Sequence, residues 1–263
     1  MDEVKILITG GNGYIAKSLN HALSKKYQIT SVSRSDFDLT NHQQTCEWFD
    51  GKTFDVVIHT AISGGSRLQL DDSSVFYNNM AMFNNLIANQ KSFSKLISFG
   101  SGAEIFHGDT PYANSKREIA KQIEKYDNFY NLRIFALFDE NELNTRFIKA
   151  NLIRYLKKEP MVIHQNKIMD FFYMKDFITL VQHFIENDKL DKQINCSYSH
   201  KYSLKNIANF INVLGEHKVP IVIDNKDKFD FYCGDSELPI QTIGLHRGIL
   251  NTYKCLLENN NYA

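Results

Sequence analysis

The chain has 263 residues, 43% of them hydrophobic, and its 30 basic side chains balance 30 acidic ones. This length suffices for a complete α/β core, and the lack of a basic excess argues against a nucleic-acid partner. The sequence contains no apolar run of membrane-spanning length and no signal-peptide pattern, so we expect no membrane contact and a cytoplasmic location. The four cysteines are far apart, which predicts reduced thiols and no metal site.

Short runs of β-branched and aromatic residues alternate with longer helical patterns along the chain. Strands are predicted at residues 4–9, 28–32, 54–59, 95–99, 130–135, 161–164 and 194–197. Helices are predicted at residues 14–25, 43–49, 74–88, 112–125, 146–157 and 175–187. This alternation predicts the α/β class and a doubly wound parallel sheet, the Rossmann architecture.

The domain organisation follows from the same pattern, which becomes less regular in its second half. No low-complexity linker divides the chain, so a second lobe must be built from segments that leave the sheet. We predict that residues 1–138 form a dinucleotide-binding domain and that residues 173–197 return to its sheet. Residues 139–172 and 198–263 are predicted to form a small C-terminal substrate-binding lobe.

A glycine-rich turn, TGGNGYIA at residues 9–16, joins the first predicted strand to the first predicted helix. Glycines at such a turn let the backbone approach a pyrophosphate, and the helix N-terminus offers unpaired N–H groups to it. The alternative is a plain tight turn. We predict a cofactor-binding loop that includes Gly10, Gly13, Tyr14 and Ile15.

The end of the second predicted strand indicates which dinucleotide is bound. Its sequence, SVSRS at residues 31–35, has no acidic residue that could bind a ribose 2′-hydroxyl. Arg34, flanked by serines, can instead pair with a 2′-phosphate, which predicts NADP(H), although a surface arginine is an alternative. Asp38 and Leu39 are predicted to flank the adenine, and Ala61, after the third strand, to lie beside the cofactor.

Tyr112 and Lys116 stand four residues apart on a predicted helix that Pro111 opens. Residues at this spacing share one helix face, so a phenol and an ammonium can approach one centre together. A cation about 5 Å away favours phenolate by roughly 3 kcal/mol at an effective dielectric of about 20, or about two pKa units. Such a tyrosine can act as an acid near neutral pH, whereas the alternative is a packed aromatic beside a solvated charge.

Taken together, these motifs resemble the extended short-chain dehydrogenase/reductase family, and within it the NAD-dependent epimerase/dehydratase enzymes. The shared features are TGxxGxxA, an alanine after the third strand, a helix asparagine, a serine after the fourth strand and YxxxK. Further similar segments are SGG at 63–65, YNNM at 77–80, DFFYMKD at 170–176 and LNTY at 250–253. The closest similarity is to GDP-L-fucose synthase-like nucleotide-sugar 4-ketoreductases.

The resemblance implies a role for each matching residue. Tyr112 would be the general acid, and Lys116 would hold the nicotinamide ribose and lower the tyrosine pKa. Asn79 would match the helix asparagine on the cofactor side. Ser101 would hydrogen-bond the substrate carbonyl, although counting back from the following aromatic residue places Gly102 at that position instead.

The chain departs from the family pattern where substrate is recognised. Arg146, Lys149 and Arg154, on the next predicted helix, could supply positive charge to a sugar diphosphate or be solvated surface charges. The second acid of fucose synthases, a histidine, has no counterpart at residues 140–144, and their cysteine position falls near Glu104. These departures put epimerisation in doubt.

We therefore expect an NADPH-dependent reductase of a GDP-, CDP- or dTDP-linked 4-keto-6-deoxy sugar, an enzyme of deoxysugar biosynthesis. One alternative is an epimerase or 4,6-dehydratase in which Glu104 handles a sugar proton. Another is a catalytically silent, dinucleotide-binding regulatory subunit, against which the intact Tyr112 and Lys116 pair argues. The sequence leaves the oligomeric state open, with a homodimer as one candidate.

Overall fold

The computed structural model describes residues 3–66, 70–106, 108–235 and 237–259. The predicted strands and helices of the α/β pattern form close to their predicted positions. In chain order the elements are β1 (Lys5–Thr9), α1 (Tyr14–Leu23), β2 (Gln28–Val32), α2 (His42–Phe49), β3 (Phe54–His59), α3 (Ser73–Ala88), β4 (Phe93–Ser101), α4 (Ala103–Phe106), α5 (Pro111–Ile123), β5 (Phe129–Ile134), β6 (Leu137–Phe138), α6 (Phe147–Leu156), β7 (Met161–Met169), β8 (Phe172–Tyr173), α7 (Met174–Glu186), β9 (Gln193–Cys196), α8 (Leu204–Ile211), β10 (Ile221–Tyr232) and α9 (Leu245–Glu258).

A six-stranded parallel sheet with the order β2-β1-β3-β4-β5-β9 confirms the doubly wound architecture. β1 pairs in parallel with β2 on one side and with β3 on the other. The chain therefore adds β2 on one side of β1 and then crosses over to add β3 on the other side, so the strand order reverses between β1 and β3. In open α/β sheets, ligands bind in the crevice beyond the carboxyl ends of strands at such a reversal. This edge lies next to the predicted glycine loop.

The central strands β1 and β3 each end in four consecutive buried residues, as expected where helices cover both faces of a parallel sheet. Ile6, Leu7 and Ile8 in β1 are fully buried, and so are Val57 and Ile58 in β3. A core cluster on one face joins Leu7 and Val57 to helix side chains. The helical contribution to this cluster includes Met82, Phe83, Leu86, Ile119 and Ile123.

The chain comprises two compact units, Met1–Arg133 with Val181–Ile194, and Ile134–Leu180 with Asn195–Ala263. The sequence predicts the division after residue 138 and assigns residues 173–197 to the first part. In the structure, β6 and the first half of α7 belong to the second unit. β6 pairs with β8 in a separate ladder, Leu137 opposite Phe172, which ties these neighbouring segments to each other.

The second unit contains a ladder that the sequence pattern predicts only in part. β7 runs from Met161 to Met169, beyond the predicted end at residue 164, and pairs in parallel with β10. The sequence does not predict this extension because residues 164–167 of β7 are polar. The length of β7 is set instead by its pairing with β10. Around the ladder lies a core that includes Leu152, Tyr155, Ile207, Ile211 and Ile249.

Asp176 is a buried carboxylate that organises the start of α9 within the second unit. Its Oδ1 accepts the N–H of Ile243 at 2.7 Å, and its Oδ2 accepts the N–H of Gly244 at 3.0 Å. The Tyr198 hydroxyl also donates to Oδ2.

Within the described ranges, no helix is long and apolar enough to cross a membrane.

Candidate active site

The glycine loop after β1 has the geometry of a phosphate cradle. Gly10 has φ +71°, and a Cβ added there would lie 2.8 Å from the backbone N and Cα of Ala61, so only glycine fits. The N–H of Gly11 donates to the Val32 carbonyl at 2.7 Å, which closes the loop against β2. Gly13, which has no side chain, is the N-cap of α1, so its first-turn amides can face an anion.

Beneath this loop, polar groups tie the ends of β1 and β3 together. The Thr9 hydroxyl lies 2.9 Å from Nδ1 of His59, and the Thr60 hydroxyl donates to the Thr9 carbonyl at 2.6 Å. Burial, followed by the positive charge of Lys116, lowers the pKa of His59 to about 3. His59 is therefore a neutral, structural histidine, and it sets the position of the strand end that precedes Ala61.

The loop after β2 presents Arg34 at its exposed surface. Asp36, which the sequence pattern does not mark as a site residue, lies in this loop, and its Oδ2 accepts hydrogen bonds from the backbone N–H of Ser33 at 2.8 Å and from the Ser33 hydroxyl at 3.1 Å. The Ser33 hydroxyl also lies 2.8 Å from that of Ser35. Asp36 thus binds its own loop, while Arg34 is exposed.

Asp38 and Leu39 follow this loop but differ in their surroundings. Asp38 accepts hydrogen bonds from the Thr40 N–H at 2.9 Å and hydroxyl at 2.8 Å, and these bonds, with a smaller contribution from Arg34, lower its pKa. Leu39 is buried in the core of the first unit. The side chain of Leu39 therefore packs inside the protein, and its predicted contact with the adenine stays a prediction.

Tyr112 and Lys116 lie on α5, whose N-terminus is fixed by the Thr110 hydroxyl capping Ala113 and by Pro111 in the first turn. The Lys116 Nζ lies 5.8 Å from the centre of the Tyr112 ring and donates to the Phe99 carbonyl at 2.6 Å. Burial lowers the pKa of Lys116 to about 8, opposed by the negative charge of Glu104. Lys116 is therefore mostly charged at neutral pH and close to its titration range.

The loop after β3 packs its backbone directly on the tyrosine. A Cβ added at Gly65, which has φ +73°, would lie 2.7 Å from Cε2 and 2.9 Å from Cζ of Tyr112. The Gly65 N–H donates to Oδ1 of Asp71 at 2.9 Å, which holds the loop in this position. The adjacent glycines at 64 and 65 were the only sequence signal for this contact.

Asn79 connects the same loop to the helix that carries the tyrosine. Its Oδ1 accepts the Ser63 N–H at 2.8 Å, and its Nδ2 donates to the Ser63 carbonyl at 3.0 Å and to the Ser115 hydroxyl at 3.0 Å. That hydroxyl donates to the Tyr112 carbonyl at 2.7 Å. Asn79 is buried and positions the site through these bonds, while its predicted contact with the cofactor stays a prediction.

Ser101 is the last residue of β4 and is buried at the start of the turn into α4. Its Oγ accepts the N–H of Ala103 at 3.2 Å, and its own N–H donates to Oε1 of Glu104 at 2.8 Å. Gly102, the alternative position, carries no hydroxyl. Glu104 is also paired with Arg133, whose Nε and Nη2 both lie 2.9 Å from Oε2.

The three cations predicted to bind substrate have different environments in the second unit. Lys149 is buried, and its ammonium donates to the carbonyls of Glu140 at 2.7 Å and Glu142 at 2.8 Å. Arg146, the N-cap of α6, is exposed. Arg154 lines a pocket of about 450 Å³ together with Asn144, Thr145, Ala150, Ile153, Lys157 and Glu159. The structure therefore supports an accessible charge at Arg146 and Arg154 and a structural contact for Lys149.

Glu142 is a buried carboxyl that sequence analysis did not identify. It accepts the backbone N–H of Lys149 at 3.2 Å, near the N-terminus of α6. Burial raises the pKa of Glu142 to about 8, and the neighbouring charge of Asp139 acts in the same direction. Glu142 is therefore protonated at neutral pH.

Across the described segments, no group of three or more His, Cys, Asp or Glu side chains could hold a metal ion.

Known proteins share this fold along nearly the entire chain. A GDP-L-fucose synthetase from Naegleria fowleri has a TM-score of 0.78 at 19% identity, covering 99% of this chain and 94% of its own. A GDP-mannoheptose C4 reductase from Campylobacter jejuni with NADP bound has a TM-score of 0.80 at 20% identity, covering 97% and 98%. At these identities the similarity establishes the fold.

Sequence comparison gives the family. A CDP-abequose synthase from Yersinia pseudotuberculosis is 22% identical over 246 residues, covering 83% of this chain and 87% of that protein. The model of the NAD dependent epimerase/dehydratase family matches residues 6–197, which include the glycine loop and the Tyr112 and Lys116 pair. The resemblance drawn from the motifs is confirmed, and the chain belongs to the NAD-dependent epimerase/dehydratase family.

Proposed function

We propose that this protein is an NADPH-dependent reductase of a nucleotide-activated 4-keto-6-deoxy sugar. The observation that carries the proposal is the pairing of Tyr112 with Lys116, whose Nζ lies 5.8 Å from the phenol ring. A catalytically silent subunit has no need of a buried lysine beside a tyrosine, since burying an ammonium is costly. Both residues lie in the unit that also contains the glycine loop.

The choice of NADPH rests on the loop after β2. A 2′-phosphate attracts an exposed guanidinium, and Arg34 offers one at the strand end. The carboxylate of Asp36, which would repel a phosphate, is held by hydrogen bonds from the Ser33 N–H and hydroxyl. The related C4 reductase from Campylobacter jejuni has NADP bound.

The residues of the first unit have the properties that ketone reduction requires. When bound, the nicotinamide supplies a hydride to the ketone carbon. Tyr112 donates its proton to the developing alkoxide, and the Ser101 hydroxyl orients the carbonyl oxygen by a hydrogen bond. The Lys116 ammonium binds the ribose and stabilises the phenolate that remains. Gly65, packed on the Tyr112 ring, limits the ring's movement.

The substrate class rests on relatives and on charge. The relatives named above act on CDP- and GDP-linked sugars according to their names. A sugar diphosphate requires cationic partners, and in the second unit Arg146 is exposed and Arg154 lines the pocket beside α6. We therefore infer that these arginines bind the diphosphate.

Reduction is favoured over elimination or epimerisation by the surroundings of Glu104. A residue that removes a sugar proton needs a carboxylate oxygen free to accept it. In the structure one oxygen of Glu104 binds the Ser101 amide and the other binds Arg133. Glu104 is therefore better suited to hold the turn after β4 than to exchange protons with substrate.

The test is NADPH consumption with a panel of GDP-, CDP-, UDP- and dTDP-linked 4-keto-6-deoxy sugars generated in situ, with product identification by NMR. We expect consumption with at least one of them. Tyr112→Phe should retain NADPH binding and lose at least about 100-fold in turnover, as expected for a lost general acid. Lys116→Met should impair both binding and turnover.

The matched control is Tyr126→Phe, because Tyr126 stacks on Phe129 beyond the C-terminal end of the same helix. This variant should keep normal turnover. Near-normal turnover of Tyr112→Phe would refute the mechanism. Failure of every keto sugar in the panel, with NADPH bound, would refute the proposed substrate class.

A further inference from the structure

A buried ion pair supports the end of β4, where the catalytic serine is expected. The Glu104 side chain is 3% exposed, and its Oε2 lies 2.9 Å from both Nε and Nη2 of Arg133. Its Oε1 accepts the Ser101 N–H at 2.8 Å. A Cβ added at Gly100 would lie 2.3 Å from this Oε1, so the carboxylate fits only because residue 100 is glycine.

Neighbouring strands hold this ion pair on its other side. The Nδ2 of Asn131 lies 3.4 Å from Oε2 of Glu104, and Nη2 of Arg133 donates to Oε1 of Gln193 at 2.6 Å. The Arg117 guanidinium donates to the backbone carbonyl of Glu104 at 3.3 Å and so also holds the turn. The negative charge of Glu104 is thus fixed in one place and removed from solvent.

Lys116 is the group on which this charge acts. It is buried, and among the described residues the titratable and charged groups that face it include Glu104 from α4, His59 from β3 and Tyr112 from its own helix. His59 is neutral, and the charge of Arg133 is engaged by Glu104. The Lys116 Nζ donates to the carbonyl of Phe99 at 2.6 Å, and Oε1 of Glu104 accepts the N–H of Ser101 at 2.8 Å, so the two side chains bind backbone groups two residues apart on β4. Burial lowers the pKa of Lys116, and the negative charge of Glu104 acts in the opposite direction.

We propose that Glu104 is a positioning residue of the active centre: its carboxylate fixes the Ser101 backbone, and its charge keeps Lys116 protonated. The catalytic consequence of this inference rests on the proposed function. The effect of the Glu104 charge on Lys116 does not rest on the proposed function, because the titration of Lys116 can be measured in the full chain with or without substrate.

The direct test follows the side-chain NMR signals of Lys116 through a pH titration, with Lys116→Met to assign them. Glu104→Gln should lower the titration midpoint by about half a pH unit or more, because it removes a nearby negative charge. Arg133→Gln should raise the midpoint, because the charge of Glu104 is then less compensated. Glu104→Asp should retain most of the unmodified midpoint.

Glu118→Gln is the matched control, because Glu118 pairs with Lys121 on the partly exposed face of α5 and has the same formal charge. It should leave the Lys116 midpoint unchanged. An unchanged midpoint in Glu104→Gln, or shifts of the same sign in Glu104→Gln and Arg133→Gln, would overturn the inference. If Glu104→Gln does not fold, the direction of the Arg133→Gln shift decides.

A measurement of enzyme activity against pH separates this inference from the proposed function. In Glu104→Gln, the alkaline limb of the kcat/KM profile for NADPH oxidation should move to lower pH together with the NMR midpoint. If the unmodified protein reduces no keto sugar, the proposed function fails while the titration still decides the role of Glu104. If turnover is normal and neither readout moves, the role of Glu104 is wrong and the reductase proposal stands.

Discussion

Alanine at Gly10 tests the structure of the cofactor loop, and the chain supplies a matched control at Gly51. Both glycines have a left-handed backbone, with φ of +71° and +68°. Their surroundings differ, because a Cβ at Gly10 would meet the backbone of Ala61 at 2.8 Å, whereas a Cβ at Gly51 would meet nothing within 4 Å. The two substitutions therefore share the conformational strain and differ in steric overlap.

The expected magnitudes follow from these two contributions. A left-handed backbone costs a residue with a Cβ about 1–2 kcal/mol, and this is the full expected loss for Gly51→Ala. Gly10→Ala adds about 1–3 kcal/mol for overpacking against backbone that cannot rotate away. We therefore expect Gly10→Ala to reduce the free energy of unfolding by about 2–5 kcal/mol.

Urea denaturation of both variants measures the stability difference, and fluorescence titration measures NADPH affinity. Gly10→Ala should bind NADPH at least about tenfold more weakly, a loss of about 1.4 kcal/mol, because the loop must move to relieve the overlap. Gly51→Ala should bind it normally. Equal destabilisation of the two variants, or unimpaired NADPH binding by Gly10→Ala, would refute this description of the loop.

Three further predictions concern single side chains. The pKa of Glu142 is about 8 in the folded protein, above its ordinary value of 4.5. The protonated Glu142 therefore contributes fully to the free energy of unfolding below pH 4.5, and this contribution is lost as the pH rises through 8. Glu142→Gln should weaken this pH dependence of stability, with a melting temperature above that of the unmodified protein at pH 9 and no such gain at pH 5. Arg34→Ala should abolish an NADPH preference over NADH of at least about tenfold, equivalent to a contact of roughly 1.5–3 kcal/mol; equal affinities in the unmodified protein would contradict the role of Arg34. Asp176→Asn should lower stability by about 2–4 kcal/mol, because its amide cannot accept all three hydrogen bonds, and a loss below about 0.5 kcal/mol in urea denaturation would refute that role.

Local sequence patterns predict much of the fold and part of the site. The alternation of strand and helix requires only short-range periodicity, and it places the glycine loop between β1 and α1. Tyr112 and Lys116 are likewise recognisable because a helix fixes the geometry of residues four apart. In the structure the Lys116 Nζ lies 5.8 Å from the centre of the Tyr112 ring.

Features that depend on distant parts of the chain were not predictable in this way. Glu104 is recognisable as a candidate acid, but it lies on α4 and its partner Arg133 lies on β5, so only the folded chain brings them together. Lys149 resembles a surface cation in sequence, whereas in the structure its side chain turns inward to bind two carbonyl groups. The backbone contact of Gly65 with Tyr112 depends on the path of a loop, which residue periodicity does not determine.

The most direct test of the proposed reduction is the fate of deuterium from NADPH labelled at the transferable position of the nicotinamide. The unlabelled keto sugar that the panel identifies is converted in ordinary water, and the product is examined by NMR. We predict deuterium at C4 alone, with the configuration at C3 and C5 retained. A product without deuterium at C4, or one with inverted configuration at C3 or C5, would contradict simple reduction by Tyr112 and NADPH.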